Sequence, residues 1–168
     1  RYYPRRLSAE VLLDAINTVT DTHTEFKGTP RGTRAVQLPD SGFDSYFLTV
    51  FGRPASDSAC ECERQSDANL AQGLHLINSS DIHGKLSADD GRAARLAQDG
   101  TKSDHDKVAE IFLSALAREP SPEEVQNVID YLDKKPVDKK PVDEKPVDEK
   151  PAADKNQLRL AYEDILWT

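Results

Sequence analysis

The sequence predicts a mainly α-helical protein, a compact bundle of short helices with irregular loops and a long Lys/Pro-rich insertion. Three observations lead there. Apolar residues recur at helical spacing in several separate stretches, marking one buried face of each. Most of those stretches open on Ser or Asp, and two close at Gly52 and Gly100, the chemistry of helix ends. Extended structure has little support: Gly28, Pro30, Gly32 and Pro39 forbid a long helix, and only Ala35, Val36 and Leu38 among them offer a short piece of strand or polyproline backbone.

The first helix is expected from about Ser8, its cap, to about Thr20, with Val11, Leu12, Ala15, Ile16 and Val19 facing the core. Ser45 to Phe51 reads as a short buried helix, capped by Asp44 and ended by Gly52 in a left-handed turn, with Tyr46, Phe47, Val50 and Phe51 inward. A helix opening near Asp67 follows, with Leu70, Leu74 and Ile77 along one stripe. Next come a turn at Ile82 to Leu86 and a helix over Arg92 to Ala97 closed by Gly100. Ser103 with Asp106 three residues on resembles a capping box and opens a helix whose Val108, Ile111, Phe112, Ala115 and Leu116 face inward. Ser121-Pro122-Glu123-Glu124 combines cap, first-position proline and first-turn acids, and its helix carries Val125, Val128, Ile129 and Leu132.

From Lys135 a five-residue unit of the form Lys-Pro-Val-Asp-Lys or Lys-Pro-Val-Asp-Glu repeats, with prolines at 136, 141, 146 and 151. Those prolines exclude helix and lone valines build no core, so the stretch reads as a linker or loop. In polyproline form it spans about 50 Å, enough to leave the domain and return. The expected organisation is a helical core over 1–133, a low-complexity segment over 134–155, and a final helix over 156–168 that packs back on the core through Leu158, Ala161, Tyr162, Ile165 and Leu166. The chain contains no Met, which suggests a mature product or an excised piece of a longer chain, and the last helix stops at Trp167-Thr168 without a C-cap, so the parent chain is expected to continue.

Composition bounds the function. A chain of 168 residues, 37% hydrophobic and 31% charged, is sized for one globular core. Its net charge of −8 is uneven: residues 54–133 hold 16 acidic against 7 basic side chains, a net −9. Such a field repels phosphates and argues against a nucleic-acid partner. Arg1, Arg5, Arg6, Arg31 and Arg34 make at most a small basic patch near the start. No apolar run is long enough for a membrane span, and Arg1-Tyr2-Tyr3-Pro4-Arg5-Arg6 lacks the apolar core of an export signal.

Candidate chemistry is sparse. Cys60 and Cys62, the only thiols, put both sulfurs on one face of an extended segment. They can form a tight disulfide, ligate a soft metal together with His75 or His83, or stay as buried thiols. Glu61, Glu63 and Asp67 can pair as acids for catalysis or as ion-pair partners of Arg64. His75, between Leu74 and Leu76 on a helix, is either a hydrogen-bonded structural histidine or a ligand or base. Covalent haem attachment needs Cys-x-x-Cys-His, which the chain does not contain. Phosphate loops, Gly-x-Ser-x-Gly elbows and His-Glu-x-x-His are also missing, and no nucleophile has an evident base, so no enzyme activity is assigned. The site candidates are therefore Cys60, Cys62, Glu63, Arg64 and His75, with no catalytic, cofactor-binding or metal role given to any of them.

Several motifs together resemble a known family. Arg5-Arg6-Leu7-Ser8-Ala9-Glu10, Gly32-Thr33-Arg34-Ala35-Val36-Gln37-Leu38-Pro39-Asp40, Phe51-Gly52-Arg53-Pro54, Cys60-Glu61-Cys62-Glu63-Arg64 and Ala117-Arg118-Glu119-Pro120-Ser121-Pro122-Glu123-Glu124 are similar to the C-terminal PSD-type domain of unknown function in large planctomycete secreted proteins. Asn69-Leu70 with Leu74 to Asn78, and Tyr162 to Trp167, add to the likeness. The resemblance implies an extracytoplasmic setting, periplasmic or secreted, and a parent protein that also carries a cytochrome-c-like domain. It supplies no activity, and the lysine-proline repeat departs from it as an insertion. The expected function is thus a non-catalytic interaction or structural module of a larger exported, cytochrome-associated protein. Its partners would be other domains of that parent or another protein; no cofactor is expected in this chain, with haem placed elsewhere in the parent. The alternative is a catalytic or redox/metal-binding domain using Cys60 to Arg64.

Overall fold

A computed structural model describes residues 6–39, 42–54, 69–134 and 150–168. The described residues contain eight α-helices, one 3-10 turn and no strand: α1 (Ala9–Thr20), the turn Ala35–Gln37, α2 (Tyr46–Val50), α3 (Leu70–Asn78), α4 (Ser80–Leu86), α5 (Arg92–Gln98), α6 (Asp104–Leu116), α7 (Pro122–Lys134) and α8 (Lys150–Trp167). They group into two compact units, residues 1–84 and 85–168, a boundary that falls inside the span drawn from sequence as one core.

In the first unit α1 packs on the 3-10 turn and on α2. Its buried face is Ala9 and Leu13 together with Glu10 and Asp14, whereas Val11 of the expected apolar face is exposed and Leu12, Ala15, Ile16 and Val19 are half-buried. The helix is rotated because its acids have inward partners. The Asp14 carboxylate accepts from the backbone N–H groups of Ala35 (2.7 Å) and Val36 (3.2 Å), while Glu10 pairs with Arg53 at 3.5 Å. Two N–H groups that a carboxylate satisfies can be tightened into a 3-10 turn, so the expected extended piece over Ala35, Val36 and Leu38 curls instead.

The cap of α2 is Ser45, whose Oγ accepts from Leu48 N, not Asp44. Gly52 ends the helix at φ 87° as its sequence position requires. The inward residues are Phe47, Leu48 and Phe51, while Tyr46 is 70% exposed. α3 begins at Leu70 behind the Asn69 cap rather than near Asp67. Its buried residue is Gln72, whose Nε2 donates to Val50 O (3.1 Å) and whose Oε1 receives the Arg6 guanidinium. Arg6 also donates to Phe51 O at 3.0 Å and lies over the Phe51 ring. Because a buried amide docks α3, the stripe expected to be core turns outward: Leu70, Leu74 and Ile77 are 78%, 48% and 60% exposed.

In the second unit α8 lies against α5 and α7, and α6 against α7. α5 is rich in alanine, and its small side chains admit α8 closely enough for Tyr162 to bury its whole ring among Ala93, Leu96, Ala97 and Ile111. Leu132, Leu158, Ile165 and Leu166 pack around this cluster. Glu110 of α6 accepts from Arg92 and from Lys102, each at 2.6 Å, and Arg159 of α8 donates to Asp89 (2.7 Å) and to the Ser87 carbonyl before α5. Ser103 Oγ accepts from Asp106 N, and Ser121 and Glu124 exchange backbone-to-side-chain bonds in a complete capping box. Two boundaries differ from the sequence expectation. Ile82 to Leu86 belongs to a full helix rather than a turn. α8 starts at Lys150, six residues before the expected 156, with Pro151 in its first turn, where a missing N–H leaves no bond unmade.

The Tyr162 hydroxyl is buried without a hydrogen-bond partner, and burial, helped by the Asp104 carboxylate, pushes its pKa up to about 12. An orphan hydroxyl costs about 1–3 kcal/mol, so Tyr162→Phe is expected to raise stability by about 1 kcal/mol at neutral pH in urea unfolding. The fold favours the neutral phenol over its ordinary value near 10, so this stabilisation is complete below pH 10 and is lost as pH rises through about 12. Wild-type stability should therefore fall more steeply than that of Tyr162→Phe over this range; parallel curves would show that the hydroxyl reaches water and keeps its ordinary pKa.

Candidate functional site

Cys60, Cys62, Glu63 and Arg64 lie outside the described residues, so of the sequence candidates the structure places His75. Its ring sits on α3 among three aromatic side chains, with centroids 5.2 Å from Tyr46, 5.6 Å from Phe47 and 6.1 Å from Phe51, each edge-on. Nε2 is buried with no hydrogen-bond partner. The hydrogen-bonded structural reading of His75 thus lacks its bond at this atom. The imidazole acts as a fourth ring of an aromatic cluster and lines a shallow hollow of 330 Å³ with Tyr46, Leu74 and Asn78.

His83, the other imidazole considered as a ligand, is on α4, where Nε2 bonds the Ile77 carbonyl at 3.0 Å. Among the described residues no three of His, Cys, Asp and Glu converge as for a metal ion. The motif residues that drew attention in the sequence are largely consumed by packing. Arg6 binds Gln72 and Phe51, Gly52 turns the chain, and Arg53 pairs with Glu10. Arg118 clamps Glu124 through both terminal nitrogens (2.8 and 2.6 Å) and lies over the Phe112 ring. These two hydrogen bonds, with one from Ser121 N, hold the Glu124 carboxyl at about 2, well below the usual carboxylate range.

In the second unit α6, α7 and α8 enclose three sides of an open groove of 620 Å³. Its floor is Ile111, Phe112, Ala115, Val128, Ile165 and Leu166. Glu124, Asn127, Tyr131 and Asp164 stand at its polar edge, where the Tyr131 hydroxyl donates to Asp164 Oδ2 at 2.8 Å. Sequence reasoning assigned the apolar stripe of α6 to the core as a whole. Val108 and Ile111 are indeed buried, but Ala115 and Leu116 at the helix end are exposed, and Leu116 is 55% accessible at the groove's lip. An apolar wall of this kind, open to water with its polar groups at one edge, suits binding.

These observations define an all-helical protein whose clearest described site is an apolar groove. The chain matches the PSD1 family model, described as a protein of unknown function (DUF1553), over residues 1–132, and it belongs to that family. The match takes in α1 to most of α7 but not α8, so one wall of the groove lies beyond the matched residues. No curated protein and no solved structure matches the chain.

Replacing His75 by Phe keeps an aromatic ring and removes the orphan nitrogen, so thermal unfolding should show stability unchanged or raised by up to about 1 kcal/mol. A loss of more than about 1 kcal/mol would reveal a partner for Nε2 and revive His75 as a ligand or base.

Proposed function

We propose that this protein is a non-catalytic interaction module of a larger exported, cytochrome-associated protein, and that the groove between α6, α7 and α8 is where it engages another domain or chain. The observation that carries this reading is the groove's make-up: an apolar floor 620 Å³ in volume, left open by exposed Leu116. An apolar surface left open to water costs solubility unless something covers it. Two further facts support it. Among the described residues of the family motifs, Arg6, Gly52, Arg53, Arg118, Ser121 and Glu124 are spent on caps, turns and ion pairs, and the middle of the chain is too acidic for a nucleic-acid surface. No helix among the described residues is long and apolar enough to cross a membrane, so attachment to a larger assembly would run through surfaces of this kind. The extracytoplasmic setting and the cytochrome partner rest on the planctomycete resemblance. Haem does not fit this chain, which has no Cys-x-x-Cys-His, and is assigned to another part of the parent.

A second reading, redox or metal chemistry at Cys60 to Arg64, is favoured by one observation, the buried and unpartnered His75 Nε2 on the helix that follows that segment. The first reading is tested by amide hydrogen exchange on this chain alone and within the longer protein that carries it. Amides of Ile111 to Leu116, Val128 to Leu132 and Asp164 to Trp167 should exchange at least about tenfold more slowly in the longer protein. Equal exchange in both would remove the groove as an interface.

A further inference from the structure

We propose that the occupant of the groove is a basic amphipathic helix, one that lays Leu-like anchors on the apolar floor and sets Lys or Arg against the rim. The inference rests on the interaction-module reading and adds the chemistry of the partner. Shape comes first. A cavity built for a small molecule closes most of the ligand's surface away from water. Here α6, α7 and α8 bound a trough whose edge residues Leu116 and Tyr131 stay exposed, and α7 lines it from Glu124 to Tyr131, about 12 Å at 1.5 Å per residue. That length receives about two turns of a partner helix, the recurring helix-in-groove mode of recognition.

Charge then selects among helices. The groove lining contains the carboxylates of Glu124 and Asp164 and no cationic side chain. Arg118, which reaches this lining, is held by both oxygens of Glu124 and lies over the Phe112 ring. α7, which forms one whole wall, carries Glu123, Glu124, Asp130 and Asp133 against a single lysine at its end. The C-terminal ends of α6 and α8 also reach the groove at Leu116 and Thr168, and helix C-termini present unsatisfied carbonyls and the negative end of the dipole. All these terms attract cations, while a second copy of this chain would bring its own net charge of −8 to meet them.

The test is a fluorescence-anisotropy titration of the whole chain with two labelled synthetic helical peptides of about 15 residues, identical in their Leu anchors and flanked by Lys in one and Glu in the other. The Lys peptide should bind at least about tenfold more tightly, and its affinity should fall as salt is raised. Leu116→Gln, an exposed position whose change leaves the core intact, should weaken it about fivefold or more, and Asp164→Asn should reduce the salt dependence. Equal binding of both peptides, or tighter binding of the Glu peptide, overturns the basic partner and leaves the interaction module standing. Lys-peptide binding that Leu116→Gln does not touch is charge attraction away from the groove and also overturns it. If neither peptide binds, the basic-helix proposal fails; exchange protection of the groove in the longer protein then decides whether the module reading fails with it.

Discussion

The second unit depends on one contact, the burial of the Tyr162 ring against the alanine face of α5. A tyrosine buries about 150–250 Å², worth about 4–6 kcal/mol at 25 cal/mol per Å², and Tyr162 reaches that limit despite a hydroxyl with no partner. It does so because Ala93 and Ala97 leave room for α8 to come close. Glu110 and Arg159 then tie α6 and α8 to either side of α5. Once α8 is held there, Ile165 and Leu166 extend past α5 toward α6 and α7, and the space they leave is the groove. The candidate site is therefore a consequence of how the last helix docks, not a separate motif.

The contrast between what the sequence showed and what it hid follows one line. Helix ends were partly legible because their chemistry is local: Ser103 and Ser121 cap through atoms only a few residues away, and Gly52 supplies a positive φ that its neighbours cannot, whereas the Asn69 and Ser45 caps were placed elsewhere. Faces were less legible because they depend on distant partners. Glu10 and Asp14 turn inward for Arg53 and for the N–H groups of Ala35 and Val36, and no period in α1 announces that. Gln72 does the same on α3, so the apolar period of Leu70, Leu74 and Ile77 was read correctly as a stripe and assigned to the wrong side.

The groove was hidden for a related reason. Val108, Ile111, Ala115 and Leu116 form one continuous apolar face, and periodicity cannot say where a neighbouring helix stops covering it. In the structure α6 ends at Ala117, φ 52°, directly beyond Leu116, so the stripe runs to the end of its helix where cover is scarce, and an alanine announces no such end. His75 was found from its apolar neighbours, but its aromatic surroundings come from Tyr46, Phe47 and Phe51 on another helix and could not be read from α3. Several described residues by which the chain resembles its family, Arg6, Gly52, Arg53, Arg118 and Glu124 among them, hold the fold together, so they mark the fold better than the function.

The central claim is that docking of α8 on α5 builds the groove, and hydrogen exchange in Tyr162→Ala tests it most directly. Losing the ring removes packing worth about 3–5 kcal/mol, so if α5 and α8 stabilise each other their amides should lose protection together, by about a hundredfold or more, in Arg92–Gln98 as well as in Lys150–Trp167. Protection that vanishes from α8 while α5 keeps its own would contradict the account, because the groove would then be an incidental gap beside a helix that the rest of the unit does not need.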